Sequence, residues 1–379
     1  MNAIQFLELF GSVSLQVGIV IIATHWLTRV TDDVRQHSRL WTACSLLVAS
    51  LLLAGLLLPH FRMVRPLQFL GRPVAVEVLQ LESRVGSGIF VVWLVGAVSS
   101  LVLLVTRSVQ TARFLRSCRA VSSETLSWKG LVAPSPGTAP KTADRVPHEV
   151  IVLSSHTVGS PFCWQFHRPY ILLPEALLAG DPQMIEFVLR HELEHLRTGH
   201  PLQVFIERAV EVIFWFHPMI WWASQQAALT REFMCDEAAV CDRSNIVRYL
   251  KTLLQVIEQS TQTAQRASGS LGFGRGPSML SARARRLVRL AQGSISRSNG
   301  RRHAGSLVTL ACIASLSTFL WIPLSAAVAS PAHWSPWPTW AAKVLQDFGI
   351  QAIDFEVDGY LYQPHELQEE NVSSLRLRR

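Results

Sequence analysis

Residues 189–196 read Leu189-Arg-His-Glu-Leu-Glu-His-Leu196 and contain the pattern His191-Glu192-x-x-His195. On a helix, positions i and i+4 share a face, so the two imidazoles can grip one metal ion. Neutral imidazole nitrogens suit Zn²⁺, and a carboxylate beside them can take a proton from a water on that metal. Glu192, one step round the helix, is placed for that role. The pentapeptide alone also fits a polar helix face rich in His and Glu, so its surroundings must decide.

Asp181-Pro182 upstream suits a helix start, since Asp caps and Pro is tolerated in the first turn. The spacing predicts a helix from Pro182 to about Arg197, ending near Gly199. Before it, Val150-Ile-Val-Leu153 and Pro169-Tyr-Ile-Leu-Leu-Pro174 read as strands around a turn near Gly159-Ser-Pro161. After it, a second predicted helix from about Ser224 to Val240 carries Thr230-Arg-Glu-Phe-Met-Cys-Asp-Glu237. Two histidines alone hold a metal poorly, and Glu232 is the best third donor. Asp236 shares its face at i+4 and is placed to orient a ligating imidazole. Taken by itself this stretch also reads as a solvated acidic helix face. His200, in Gly199-His-Pro201, reads as a capping or surface histidine rather than a ligand.

The chain has 379 residues, 49% of them hydrophobic and only 16% charged, with a mean hydropathy of +0.25. Four apolar runs, Leu9–Leu27, Leu40–Leu58, Gly88–Val105 and Leu307–Val328, are each about the ~20 residues needed to cross a hydrocarbon core. No basic residue precedes the first run, and further spans follow, so it does not read as a cleaved signal peptide.

Positive charge orients the spans. Arg29, Arg35 and Arg39 follow the first run, Arg107, Arg113, Arg116 and Arg119 follow the third, and Arg283, Arg285, Arg286, Arg289, Arg297, Arg301 and Arg302 crowd the approach to the fourth. Both termini are thus expected outside and residues 106–306 in the cytosol. Arg62, Arg65, Arg72 and Arg84 in the 59–87 loop run against this scheme. The net charge of +8 is concentrated beside spans, which points to anionic lipid rather than nucleic acid. Six cysteines without a C-x-x-C pair argue for reduced thiols and, by spacing, against thiolate metal ligands.

Between the two site helices lies an apolar, aromatic segment, residues 204–223. A full crossing there would part Glu232 from the histidines, so it reads as a re-entrant or interfacial helical pair bent near Pro218, with tryptophans at headgroup level. Glu207 and Glu211 within it then face protein or water. The organisation expected is three spans in residues 1–106 (about 9–27, 40–58 and 88–105), a basic segment and Pro/Ser-rich linker over 107–148, and a metal-site domain over 149–265. A flexible basic linker follows over 266–306, then a fourth span over 307–328 and a short extracytoplasmic tail over 329–379, where Trp334, Trp337 and Trp340 are placed to anchor at the interface.

His191-Glu-Leu-Glu-His195, the Trp215-Phe-His-Pro-Met-Ile-Trp-Trp222 segment and Arg231-Glu-Phe-Met-Cys-Asp236, in that order, resemble the BlaR/MecR-type antirepressor membrane zinc metallopeptidases. Pro161–Pro174 resembles the edge-strand segment of those proteins. The likeness covers roughly residues 88–260. It implies a mainly α-helical multi-pass membrane protein with an inserted cytosolic α+β gluzincin-type domain, His191, His195 and Glu232 as Zn²⁺ ligands, and Glu192 as general base. It also implies a protein substrate, a cytosolic repressor or the protease itself, with an extended peptide added along Pro169–Pro174.

Two departures are visible. Family members often carry Asp shortly after the zinc helix, where this chain has Gly199-His200-Pro201. The antibiotic receptors have a penicillin-binding sensor in the outer segment, whereas residues 329–379 are short and lack Ser-x-x-Lys, so direct β-lactam acylation is not expected. Arg231-Glu-Phe-x-x-Asp236 also resembles the HtpX-type quality-control proteases. A signalling scaffold with a structural zinc site is the other reading, and the absence of a fourth candidate ligand argues for catalysis over it.

Overall fold

The computed structural model describes residues 3–61, 72–121, 150–165, 168–240, 243–266, 277–293, 303–322, 334, 338–349, 355–357 and 360–362. Ala133–Pro140, the Pro-rich part of the expected linker, lies outside them, as do Trp337 and residues 323–328. Three long helices open the chain: α1 (Ala3–Arg29), α2 (Val34–Leu57) and α3 (Arg72–Ser117). Each contains a segment long and apolar enough to cross a membrane, Gln5–Arg29, Val34–Leu57 and Leu81–Ser117. Asp33 caps α2, its carboxylate accepting from the Arg35 backbone N–H.

The α3 helix has 46 residues, about 69 Å at 1.5 Å per residue. It therefore runs well beyond the apolar stretch 88–105 and absorbs the basic start of the expected linker. Its far end meets a small sheet of β1 (Arg119–Ala120), β2 (Ile151–Ser155), β3 (Phe162–Gln165) and β4 (Pro169–Pro174), ordered β1-β2-β4-β3. Strands β2 and β4 are parallel, and the other pairs are antiparallel. Side-chain alternation along β4 serves two layers. Ile171 and Leu173 face one core, and Leu172, with Leu153 of β2, faces Leu115 of α3.

A short helix α4 (Glu175–Leu178) leads to α5 (Pro182–Arg197), whose bounds coincide with those read from the sequence. Asp181 caps it by accepting from the Gln183 N–H, and Gly199, at φ 67°, supplies the left-handed turn into the next helix. One stripe of α5, Met184, Ile185, Val188, Leu189, Leu193 and Leu196, packs on the sheet. Burial of each such side chain is worth about 1.5–3 kcal/mol, which fixes the opposite stripe of His191, Glu192 and His195 towards the next layer.

That layer is a hairpin of α6 (His200–Ile213) and α7 (Pro218–Ala239). Its tip packs among α1 and α3. Phe216 stacks on Phe10 at 4.3 Å, the His217 ring lies 3.2 Å from the Ser14 carbonyl oxygen, and Trp93 donates to the Ile213 carbonyl at 2.9 Å. Trp215 lies so flat on Gly96 of α3 that a Cβ there would collide with its ring. The hairpin shares one apolar core with α1 and α2, including Val210, Phe214 and Ile220 beside Val17, Ile21 and Trp41. Residues 204–223 thus turn back within the helical bundle, and Glu232 returns to the side of α5.

After α7 come a 3-10 turn (Arg243–Asn245), α8 (Ile246–Arg266), α9 (Pro277–Ala291) and α10 (His303–Ser317). The α9 helix occupies the stretch expected as a flexible linker. Its Gly/Ser-rich approach masked an amphipathic repeat in which Arg283 and Leu287 face inward while Arg285 and Arg289 face out. The fourth apolar run also differs from expectation. Among its described residues it is helical to Ser317 and turns at Thr318–Phe319, and polar groups of α1 meet the residues that follow. The Ile322 N–H donates to Ser12 Oγ at 3.0 Å, and the Trp321 indole N–H donates to Glu8 at 2.6 Å. A last helix α11 (Thr339–Asp347) and a hairpin of β5 (Phe355–Val357) and β6 (Tyr360–Tyr362) follow. Trp334 bridges to Phe61, and Trp340 is exposed.

Candidate metal centre

Helices α5 and α7 pack face to face and bring His191, His195 and Glu232 together. The two Nε2 atoms lie 3.3 Å apart, His191 Nε2 lies 3.6 Å from Glu232 Oε2, and His195 Nε2 lies 3.7 Å from Glu232 Oε1. For bonds of about 2.0–2.2 Å to a tetrahedral Zn²⁺, neighbouring ligand atoms stand roughly 3.3–3.6 Å apart. The three side chains, all buried or nearly so, approach one another at distances of that order, His191 facing one oxygen of Glu232 and His195 the other. Glu192 is buried beside them on α5.

The far side of His191 is held by a polar network. Its Nδ1 lies 3.2 Å from Asp236 Oδ1 and 3.0 Å from the Tyr249 hydroxyl oxygen, and that hydroxyl donates to Asp236 at 2.6 Å. A proton on Nδ1 leaves the Nε2 lone pair free for a metal, the arrangement common around ligating histidines. Burial lowers the His191 pKa, but hydrogen bonds and charge from Asp236 and Glu232 outweigh it and raise the value to about 9. Arg283 of α9 closes the network. Its Nε donates to Asp236 Oδ2 at 2.8 Å, and its Nη1 stands 2.8 Å from Glu232 Oε2. Burial raises the Asp236 pKa, yet the Arg283 charge and the His191 hydrogen bond hold it below the usual carboxylate range.

His195 is held differently. Its Nδ1 lies 2.8 Å from Nδ1 of His200, which is only 2% exposed. His200 is therefore neither a surface nor a capping residue. Burial, then the Arg231 charge, push its pKa down to about 3, and a neutral His200 ring can accept from a proton on His195 Nδ1. Cys235, which the cysteine spacing gave no reason to count as a ligand, lies near the metal donors. Its Sγ lies with His191 and His195 nitrogens inside a 4.8 Å group, and 3.7 Å from His200 Nδ1. The Nε2 atoms and Glu232 converge at 3.3–3.7 Å, closer than the 4.8 Å within which the Cys235 group falls.

Beneath the site, Arg231 forks onto Glu207, with contacts of 2.5 and 2.9 Å, and both are buried. This pair ties α6 to α7 one residue before Glu232. Glu211 accepts from Arg208. The sheet also revises the peptide-docking expectation. Strand β4, Pro169–Pro174, is hydrogen-bonded on both sides, by β2 and β3, and β3 is the edge nearest α5. Sequence patterning located the sheet but not its order, because β3 carries a half-buried Phe-Cys-Trp-Gln with no distinguishing alternation. Tyr249 and Arg283 escaped notice for a similar reason: neither sits in a motif, and each reaches the site only through packing.

A family model described as BlaR1 peptidase M56 matches residues 62–277. The chain is also similar to the Regulatory protein BlaR1 of Bacillus licheniformis, 25% identical over 199 residues. That match covers 51% of this chain and 32% of the relative, so the chain spans about a third of the relative's length.

Proposed function

This chain belongs to the BlaR1 peptidase M56 family, and on that premise we propose that it is a multi-pass membrane zinc metalloendopeptidase acting in signal transduction. The observation that carries the reading is the convergence of His191 Nε2, His195 Nε2 and Glu232 at 3.3–3.7 Å, with Glu192 beside them. The domain is gluzincin-like in its ligand set, and it lies on the cytosolic side of spans α1, α2 and α3 by the distribution of arginines. The α6–α7 hairpin is re-entrant. The substrate is a cytosolic repressor, the protease itself, or both, in keeping with the regulatory name of the relative.

Held by His191, His195 and Glu232, zinc would supply Lewis-acid polarisation of a peptide carbonyl and of a water. The chain does the rest. An extended substrate adds to the outer edge of β3, Phe162–Gln165, by main-chain hydrogen bonds. Glu192 takes the proton of the attacking water and returns it to the leaving amine. Asp236 with Tyr249, and His200, each hold one imidazole in the Nδ1–H tautomer that directs Nε2 forward. His191, Glu232 and Asp236 are buried and His195 is nearly so, which strengthens each charge interaction relative to water.

The test is Glu192→Gln in the full-length membrane protein. It is expected to retain one equivalent of zinc and to lose cleavage of the co-expressed repressor, by about 10²–10⁴-fold for a lost general base. Cleavage at the parental rate by that variant overturns the mechanism.

A further inference from the structure

The α9 helix begins at Pro277, where the family match ends, so nothing in that match assigns a role to Arg283. Yet Arg283 is 3% exposed and holds two carboxylates at once. Its Nε and Nη2 grip Asp236, and its Nη1 meets Glu232. The rest of α9 docks on the same stretch of α7. Arg286 donates to Glu237 at 2.8 Å and lies over the Phe233 ring, and Leu287 is buried among Ala239, Val240, Ile246 and Tyr249. Arg286 also donates to the Asp32 carbonyl between α1 and α2 at 3.3 Å.

We propose that Arg283 is a positioning residue for the metal centre, coupling the docking of α9 on α7 to metal affinity. The inference rests on the reading of His191, His195 and Glu232 as the metal donors. Arg283 acts through them: its fork fixes the rotamer of Glu232 and, through Asp236, the ring of His191. A metal that immobilises Glu232 and His191 presents the guanidinium with a rigid pair of carboxylates, so each event favours the other. Such coupling is reciprocal by thermodynamic necessity. A lysine ammonium has three donors, but they converge on one nitrogen, whereas the planar guanidinium spreads its donors in a fixed fork that reaches both carboxylates at once.

The experiment uses the full chain in detergent, with Zn²⁺ or a chelator, for the parent, Arg283→Lys and Arg283→Met. Zinc affinity is read by competition with a chromophoric chelator, and backbone hydrogen exchange is followed in α9 and α5. In the parent, zinc is expected to slow exchange across α9. Both variants are expected to bind zinc about 10–100-fold more weakly, the usual effect of losing a partner of a metal ligand, and zinc no longer protects α9 in them. Retained protection of α5 reports that the fold is intact. Unchanged α9 exchange on adding zinc to the parent, or parental zinc affinity in both variants, overturns the proposal. If the parent takes up no zinc, or if His191→Ala and His195→Ala bind it as the parent does, the metal-site reading itself fails.

Discussion

The contact between His195 and His200 yields a prediction with a definite sign. For His195 Nε2 to face a metal, its proton must sit on Nδ1, 2.8 Å from His200 Nδ1. His200 must then accept at Nδ1 and carry its own proton on Nε2, which is buried with no hydrogen-bond partner among the described residues. An orphaned buried donor costs about 1–3 kcal/mol. In His200→Asp a carboxylate oxygen stands the same two bonds from Cβ as Nδ1, so it can accept the same proton. It removes the orphan and makes the bond charge-assisted, with the Arg231 charge nearby to stabilise it. Zinc affinity is expected to rise about tenfold, the equivalent of ~1.4 kcal/mol. In His200→Ala the His195 N–H loses its acceptor, and affinity falls about 10–100-fold. Chelator competition on purified protein measures both. Parental affinity in His200→Ala refutes the idea that His200 orients His195, and weaker binding in His200→Asp refutes the tautomer argument.

Two other substitutions probe neighbouring features. Cys235→Ser is expected to leave zinc stoichiometry and affinity unchanged, because the Glu232 oxygens stand nearer the imidazole Nε2 atoms, at 3.6–3.7 Å, than the 4.8 Å within which the Cys235 sulfur falls. Loss of bound metal, or a cobalt-substituted parent with a thiolate charge-transfer band, would instead make Cys235 a ligand. Glu207→Gln leaves the buried Arg231 guanidinium without its counter-charge and is expected to cost about 3–5 kcal/mol. A lowered midpoint in thermal unfolding of the solubilised protein reports this, and the double change Glu207→Leu with Arg231→Met recovers most of it. An unaltered midpoint in Glu207→Gln means that the pair contributes nothing.

The zinc helix, its cap and its stop were legible in sequence because each depends on neighbours within a turn or two: Asp181, Pro182, the apolar stripe and Gly199. The same holds for the apolar runs of α1, α2 and α3, whose length is a local property. The proposed third donor, Glu232, was accessible because a motif surrounds it, and the structure places its carboxylate 3.6–3.7 Å from the two imidazoles. The reversal of residues 204–223 followed from the demand that a shared metal makes on chain direction.

What only the tertiary structure decided involves partners distant in the chain. The edge of the sheet is β3 rather than β4, since strand order depends on pairing across the fold and not on propensity. Arg283 looked like one more juxtamembrane arginine, and its burial against Glu232 and Asp236 exists only once α9 lies on α7. His200 looked like a capping residue until packing of α6 against α5 and α7 put its ring against His195 and away from water. Local chemistry specified which side chains can hold a metal. Long-range packing specified which groups stand behind them, and so how tightly and in what protonation state they hold it.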